Sequence, residues 1–149
     1  LEDGLLVLED GKIKDFGPYS ELSAQYTNLP TITYPDKLIL PGFIDTHIHF
    51  PQVEILASYG EQLLEWLTTY TFPAERKFHN QDYAQKVAAF FLDELLRNGT
   101  TTALVFATVH PESVEAFFEE ADRRNLRMIT GKVMMDRNAP DFLMDTAET

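Results

Sequence analysis

Three short runs rich in β-branched and apolar residues, separated by two stretches of helical periodicity, constrain this chain more than any other feature. The runs are Phe43-Ile44-Asp45, residues 100–106 and residues 127–135. Between the first two, Ala84, Val87, Ala88, Phe91 and Leu95 share one helical face. Asn80 is placed to cap the start of that helix, and Gly99 sits where a left-handed residue ends one. Between the second and third runs, Pro111 suits a first helical turn, and Val114, Phe117, Phe118 and Ala121 form the expected core face. Strand, helix, strand, helix, strand is the rhythm of a parallel sheet with crossover helices, so the fold class is α/β. Three strands do not close a (β/α)8 barrel, which takes about 250 residues. The pattern alone leaves two architectures: an open α/β sheet, or the first portion of a barrel.

Residues 1–40 read differently, as a small β region. Residues 5–8 are apolar, Asp10-Gly11 is a hairpin signal, and residues 12–16 alternate polar with apolar. Residues 21–26 suit one or two helical turns, and residues 37–40 resume an extended pattern that stops at Pro41-Gly42. Residues 51–60 read as a loop of small and polar residues. Leu63, Leu67 and Tyr70 then recur at the spacing of a short amphipathic helix. The chain begins Leu1-Glu2-Asp3, with neither Met nor a basic-then-apolar signal, and the expectation is a segment cut from something longer.

Composition narrows the chemistry. Asp and Glu number 24 against 12 Lys and Arg, a net charge of −12 that disfavours nucleic-acid backbones and anionic membranes. No run of about 18 apolar residues exists, so no membrane span is expected. There is no cysteine, which excludes disulfides and thiolate metal sites and suits a reducing, cytoplasmic setting. Any metal must be held by His, Asp or Glu.

The chemistry-bearing stretch is Pro41-Gly42-Phe43-Ile44-Asp45-Thr46-His47-Ile48-His49-Phe50-Pro51-Gln52. Two histidines at i and i+2 of an extended segment project from the same face. Together they can bind one metal ion, at the strand end where α/β barrels carry their active sites. Asp45 lies on that face too and is placed to orient a ligand histidine. The competing reading is that a His-x-His pair is exposed or hydrogen-bonded in a core, since a metal site needs three or more ligands.

Pro41 to His49 resembles the metal-binding first strand of the amidohydrolase superfamily. Three further stretches make the likeness specific to the guanine deaminases within it. They are Leu63-Leu64-Glu65-Trp66-Leu67-Thr68-Thr69-Tyr70-Thr71-Phe72-Pro73-Ala74-Glu75, Asn98-Gly99-Thr100-Thr101-Thr102-Ala103 and Gly131-Lys132-Val133-Met134-Met135-Asp136. The first motif is shared across the superfamily, and the Trp66 stretch is the narrower one. The resemblance implies the first strands and helices of a (β/α)8 TIM-type barrel. Residues 41–149 would be its first, incomplete part, and residues 1–40 part of a small composite, β-sandwich-like domain.

The same resemblance implies hydrolytic deamination of guanine to xanthine and ammonia in purine catabolism, with one zinc ion, or iron in its place. It further implies a cytoplasmic homodimer acting on a small-molecule purine, with no nucleic acid and no membrane as partner. His47 and His49 match the first two metal ligands, and Gln52 the glutamine that contacts the purine. An amide offers both donors and an acceptor to a heterocycle edge. Trp66 is read as packing on its helix, with stacking on guanine the functional alternative. Glu65 and Glu75 read as solvated or capping, Lys132 as structural, and His79 and His110 as surface or capping residues. The family's remaining metal ligands, its guanine-holding arginine and its proton-shuttling glutamate match nothing before Thr149. No catalytic acid or base is therefore assigned, and the segment alone is expected to be inactive. Two rivals stay open: an amidohydrolase deaminating another heterocycle, such as another purine or a triazine, and a non-catalytic scaffold or binding module on the same fold.

Overall fold

The structure, a computed structural model, describes residues 1–146. The chain divides into two compact units, Leu1–Ile39 and Leu40–Thr149.

In the first unit, β1 (Gly4–Glu9) and β2 (Lys12–Pro18) pair antiparallel, with a register shift between Val7 and Leu8. Asp10 and Gly11 between them both have positive φ, 51° and 73°. That is the backbone of a type I′ turn, whose twist matches the flanking strands. A single helical turn, α1 (Tyr19–Leu22), runs into a 3₁₀ turn at Ser23–Gln25. The extended segment expected at residues 37–40 joins no sheet among the described residues, and Leu38 is exposed. An extended pattern becomes a strand only when a neighbour supplies the ladder.

The second unit is mixed α/β. Its sheet has the order β3 (Phe43–His49), β4 (Thr100–Phe106), β5 (Arg127–Gly131), parallel throughout. Helix α4 (Gln81–Arg97) connects β3 to β4, and α5 (Pro111–Arg123) connects β4 to β5. Asn80 caps α4, its side-chain oxygen accepting from the Tyr83 N–H at 2.9 Å. Gly99 ends it at φ +83°. Gly42 is needed for a different reason: a Cβ there would lie 2.0 Å from Thr101 Oγ1. Only a residue without a side chain lets the start of β3 come this close to β4.

The core lies between one face of the sheet and the two helices. Ala84, Val87, Ala88, Phe91, Leu92 and Leu95 of α4 pack with Ala103 and Val105 of β4, Phe117 of α5, and Phe50. Phe118, expected in that face, is 43% exposed. Helix α5 instead buries Ser113, Ala116, Phe117, Glu120 and Ala121, a stripe rotated by one residue from the purely apolar choice. Glu120 tolerates burial because Arg123 and Arg124 pair with its carboxylate. The third strand is shorter than residues 127–135. Its ladder ends at the Phe106–Gly131 pair, where β4 itself ends. Beyond it, the Val133 N–H reaches across to the Thr108 carbonyl at 3.0 Å.

Residues 51–60 are only partly loop, since Phe50–Ile55 winds into 3₁₀ turns. The amphipathic helix expected from Leu63 onward is interrupted. Helix α2 (Leu63–Trp66) passes through a π turn at Leu67–Thr71 into α3 (Phe72–Arg76). Pro73 has no N–H, and its ring crowds the carbonyl four residues back, so a widened turn before it relieves the conflict. The widening breaks the 3.6-residue stripe: Leu67 and Tyr70 are half-buried, but Leu63 is 68% exposed.

Candidate functional site

The parallel register decides what surrounds the two histidines. Ile48 packs against the core, so His47 and His49 project from the opposite face of β3. Their ring centroids are 5.4 Å apart and their planes 49° apart. Two imidazoles on one tetrahedral zinc, with Zn–N near 2.0–2.1 Å, have centroids on the order of 5 Å apart, so the spacing fits one shared ion. Phe106 is paired in register with His49. Its ring stacks on His49 at 4.6 Å and 11°, and touches His47 at 4.9 Å.

His49 is half-buried, and that burial, reinforced by the neighbouring His47, holds its pKa below the ordinary imidazole value. The neutral ring is the form that accepts a metal. Asp45 meets His47 through the main chain: its Oδ1 accepts the His47 backbone N–H at 2.9 Å. Among the described residues, no group of three or more His, Asp or Glu could hold a metal. The donor set of β3 therefore fits part of a metal site, namely two imidazoles on one face.

Directly after β3, the 3₁₀ segment carries Gln52 back over the strand end. Its Nε2 lies 3.4 Å from His49 Nδ1. Gln52 also lines an open cavity of about 210 Å³, together with Ile55, Leu56, Ala57, Ser58 and Trp66. Two residues from separate stretches of sequence, Gln52 and Trp66, thus share one pocket wall, and Gln52 also reaches His49. Trp66 is half-buried, with part of its surface given to the cavity.

Glu75 departs from expectation. It is 8% exposed rather than solvated, and α3 packs against the 3₁₀ segment that bears Gln52. Burial pushes its carboxyl up to about 7, and the polar side chain of Gln52 opposes that rise. Glu65, by contrast, is exposed.

The remaining histidines are not isolated. His79 and His110 come together edge to face, with ring centroids 6.0 Å apart. His79 donates from Nδ1 to the Arg76 carbonyl at 2.6 Å. His110 precedes α5, where its carbonyl accepts from both the N–H and the hydroxyl of Ser113, and its Nε2 is buried without a hydrogen-bond partner. Lys132 forms an ion pair with Asp145 at 2.5 Å, a structural contact.

Glu75 and Phe106 were the residues sequence reasoning missed. Counting the β4 register forward from Gly99 places Phe106 at the level of His49. For Glu75 no comparable signal exists, because its burial follows from the irregular π turn.

The family model of the amidohydrolases matches residues 38–149. The chain belongs to the amidohydrolase family. Among curated amidohydrolases it is similar to the guanine deaminase of Escherichia coli (strain K12), with 57% identity over 150 residues, all of this chain and 34% of that protein. Among solved structures it is similar to guanine deaminase from Bradyrhizobium japonicum, at TM-score 0.92 and 47% identity, over 97% of this chain and 31% of that one. It is also similar to guanine deaminase from C. acetobutylicum with bound guanine in the active site, at TM-score 0.81 and 38% identity, over 94% and 33%. The chain spans about a third of the length of that E. coli protein.

Proposed function

We propose that this chain belongs to a guanine deaminase, a hydrolase that converts guanine and water to xanthine and ammonia. The observation that carries the reading is the cavity wall that Gln52 and Trp66 share, with the Gln52 amide 3.4 Å from His49 Nδ1. A metal-binding strand is common to many amidohydrolases, but this juxtaposition joins it to an amide and an indole, the groups suited to a flat, polar-edged heterocycle. The 57% identity to the E. coli guanine deaminase supports the same substrate.

In this reading His47 and His49 hold one zinc ion, or iron in its place, with further ligands from outside the described residues. Such an ion supplies a water acidified toward neutral pH. The chain's own contribution is positioning. The Gln52 amide meets the purine edge with donor and acceptor atoms, and Trp66 offers an aromatic face to the ring. Phe106 restrains the imidazoles from behind. The strands β3, β4 and β5 are read as the first three of a (β/α)8 barrel, from residue 41 on, and residues 1–40 as part of a small β domain. Homodimerisation and a cytoplasmic setting follow from the family resemblance. Among the described residues, no helix is long and apolar enough to cross a membrane.

The test is loss of guanine absorbance in the full-length protein, with adenine, cytosine and a triazine as controls. Metal-dependent conversion of guanine alone supports the reading. Turnover of a different heterocycle, with guanine untouched, would replace the substrate and keep the family.

A further inference from the structure

A histidine that binds a metal gives one ring nitrogen to the ion and carries a proton on the other. That second N–H needs an acceptor, which fixes the ring and its tautomer. Asp45, the residue of β3 placed for this task, meets the main chain instead: its Oδ1 accepts the His47 backbone N–H at 2.9 Å. His49 has a different neighbour. Its ring, stacked on Phe106 at 4.6 Å, has Nδ1 within 3.4 Å of the Gln52 amide nitrogen. With Nδ1 facing Gln52, Nε2 is the nitrogen left for an ion shared with His47, and Nδ1 then bears the proton. Two N–H groups cannot bond each other, so a proton on Nδ1 demands the carbonyl end of the amide. A half-turn about the terminal side-chain torsion, which is broad and roughly two-fold, exchanges the two ends in the same space.

We propose that Gln52 is a positioning residue for the metal ligand His49, and that this contact sets which end of its amide the purine meets. With an ion on His49, the Gln52 carbonyl accepts the Nδ1–H, and the amino group is left for the cavity that Gln52 lines with Trp66. The inference rests on the guanine deaminase reading and sharpens it: the amide offers the purine an N–H donor, matched by a ring nitrogen or a carbonyl oxygen of the base. Metal retention and substrate recognition are thereby linked through one side chain. An amide already held by His49 also spares part of the ordering cost when substrate binds.

The experiment measures zinc affinity by chelator competition in the full-length protein without substrate, with KM and kcat for guanine read beside it. Gln52→Met removes the acceptor at similar volume and is expected to weaken zinc binding about tenfold, as loss of a ligand's hydrogen-bond partner does. Gln52→Glu keeps an acceptor oxygen for the Nδ1–H but has no N–H to donate. It is expected to hold zinc at least as tightly as wild type while raising KM for guanine about tenfold. That split between the two variants is what a merely structural Gln52 would not produce. Wild-type zinc affinity in Gln52→Met overturns the inference. So does a Gln52→Glu variant that loses zinc as far as Gln52→Met does, and an unchanged KM in Gln52→Glu overturns the assignment of the amino end to the purine. If Gln52→Met does not fold, Gln52→Ala is read by the same criteria. Absence of guanine turnover in the zinc-loaded wild-type protein removes the functional reading, while the zinc affinities still decide the contact with His49. Normal wild-type turnover with equal zinc affinity in all variants removes this inference alone.

Discussion

The ring of Phe106 lies flat on the ring of His49, 4.6 Å between centroids and 11° from parallel. Neither residue is near the other in sequence; the parallel register of β3 and β4 puts them side by side. An imidazole stacked this way loses rotational freedom before any metal arrives. Phe106→Ala is expected to weaken metal affinity in the full-length protein by roughly two- to tenfold, the worth of one aromatic contact. Competition against a chelator of known affinity measures it. An unchanged affinity would mean that the strand alone orients His49.

His47→Ala is expected to abolish metal retention and nearly all guanine turnover, since it removes one of two imidazoles spaced for a shared ion. Metal analysis after desalting reads the first effect and absorbance the second. Full metal content in the variant would remove His47 from the site.

Glu75 makes stability pH-dependent in an unusual sense. Its carboxyl is raised from the ordinary 4.5 to about 7 in the folded protein, chiefly by burial. Between those values the folded state keeps a proton that the unfolded state has lost, so stability falls as pH rises through the window. Below it the residue contributes no slope, and above it the penalty is constant. The full change is up to about 3 kcal/mol. Denaturant midpoints measured from pH 4.5 to 7 are expected to fall more steeply in wild type than in Glu75→Gln. Equal slopes would place the ionisation elsewhere.

The packing of α4 on α5 has an electrostatic clasp. Arg124 pairs with Asp93 of α4 at 2.7 Å and with Glu120, whose side chain is 1% exposed. Arg124→Ala leaves that buried carboxylate with Arg123 as its remaining partner, and is expected to cost about 3 kcal/mol in chemical denaturation. A loss under about 1 kcal/mol would show the pair behaving as a surface ion pair.

Gly42→Ala is expected to destabilise the protein by about 1–3 kcal/mol, because the added methyl group meets Thr101 across the β3–β4 join. A thermal midpoint equal to wild type would mean that the strands part without cost.

Regular elements were legible because their signals are local. The α4 cap, its apolar face, the Gly99 stop and the seven residues of β4 are each written within one turn or one strand. What was not legible depends on partners. Residues 37–40 have the composition of a strand but no ladder, and β5 stops where β4 stops, whatever the character of Val133 to Met135. Phe118 looked like core by hydrophobicity, but buried Glu120, satisfied by two arginines, set the rotation of α5. The site divides the same way. His47, His49 and Gln52 can be read from spacing and family likeness. The stacking of Phe106, the burial of Glu75 and the meeting of His79 with His110 are products of folding.

Trp66 and Glu75 stand about two and a half regular turns apart, at roughly 3.6 residues per turn, and an unbroken α-helix would aim them in opposite directions. Yet Trp66 lines the cavity with Gln52, while Glu75 is buried on α3, which packs against the segment that bears Gln52. The π turn between them alters that phase. Helical phase, set by a single widened turn ahead of Pro73, thus turns the indole to the cavity and the carboxyl to the interior. Chain length from residue 67 to 71 is accordingly a determinant of the pocket: an insertion or deletion there would swing one wall away while leaving every side chain of the pocket intact.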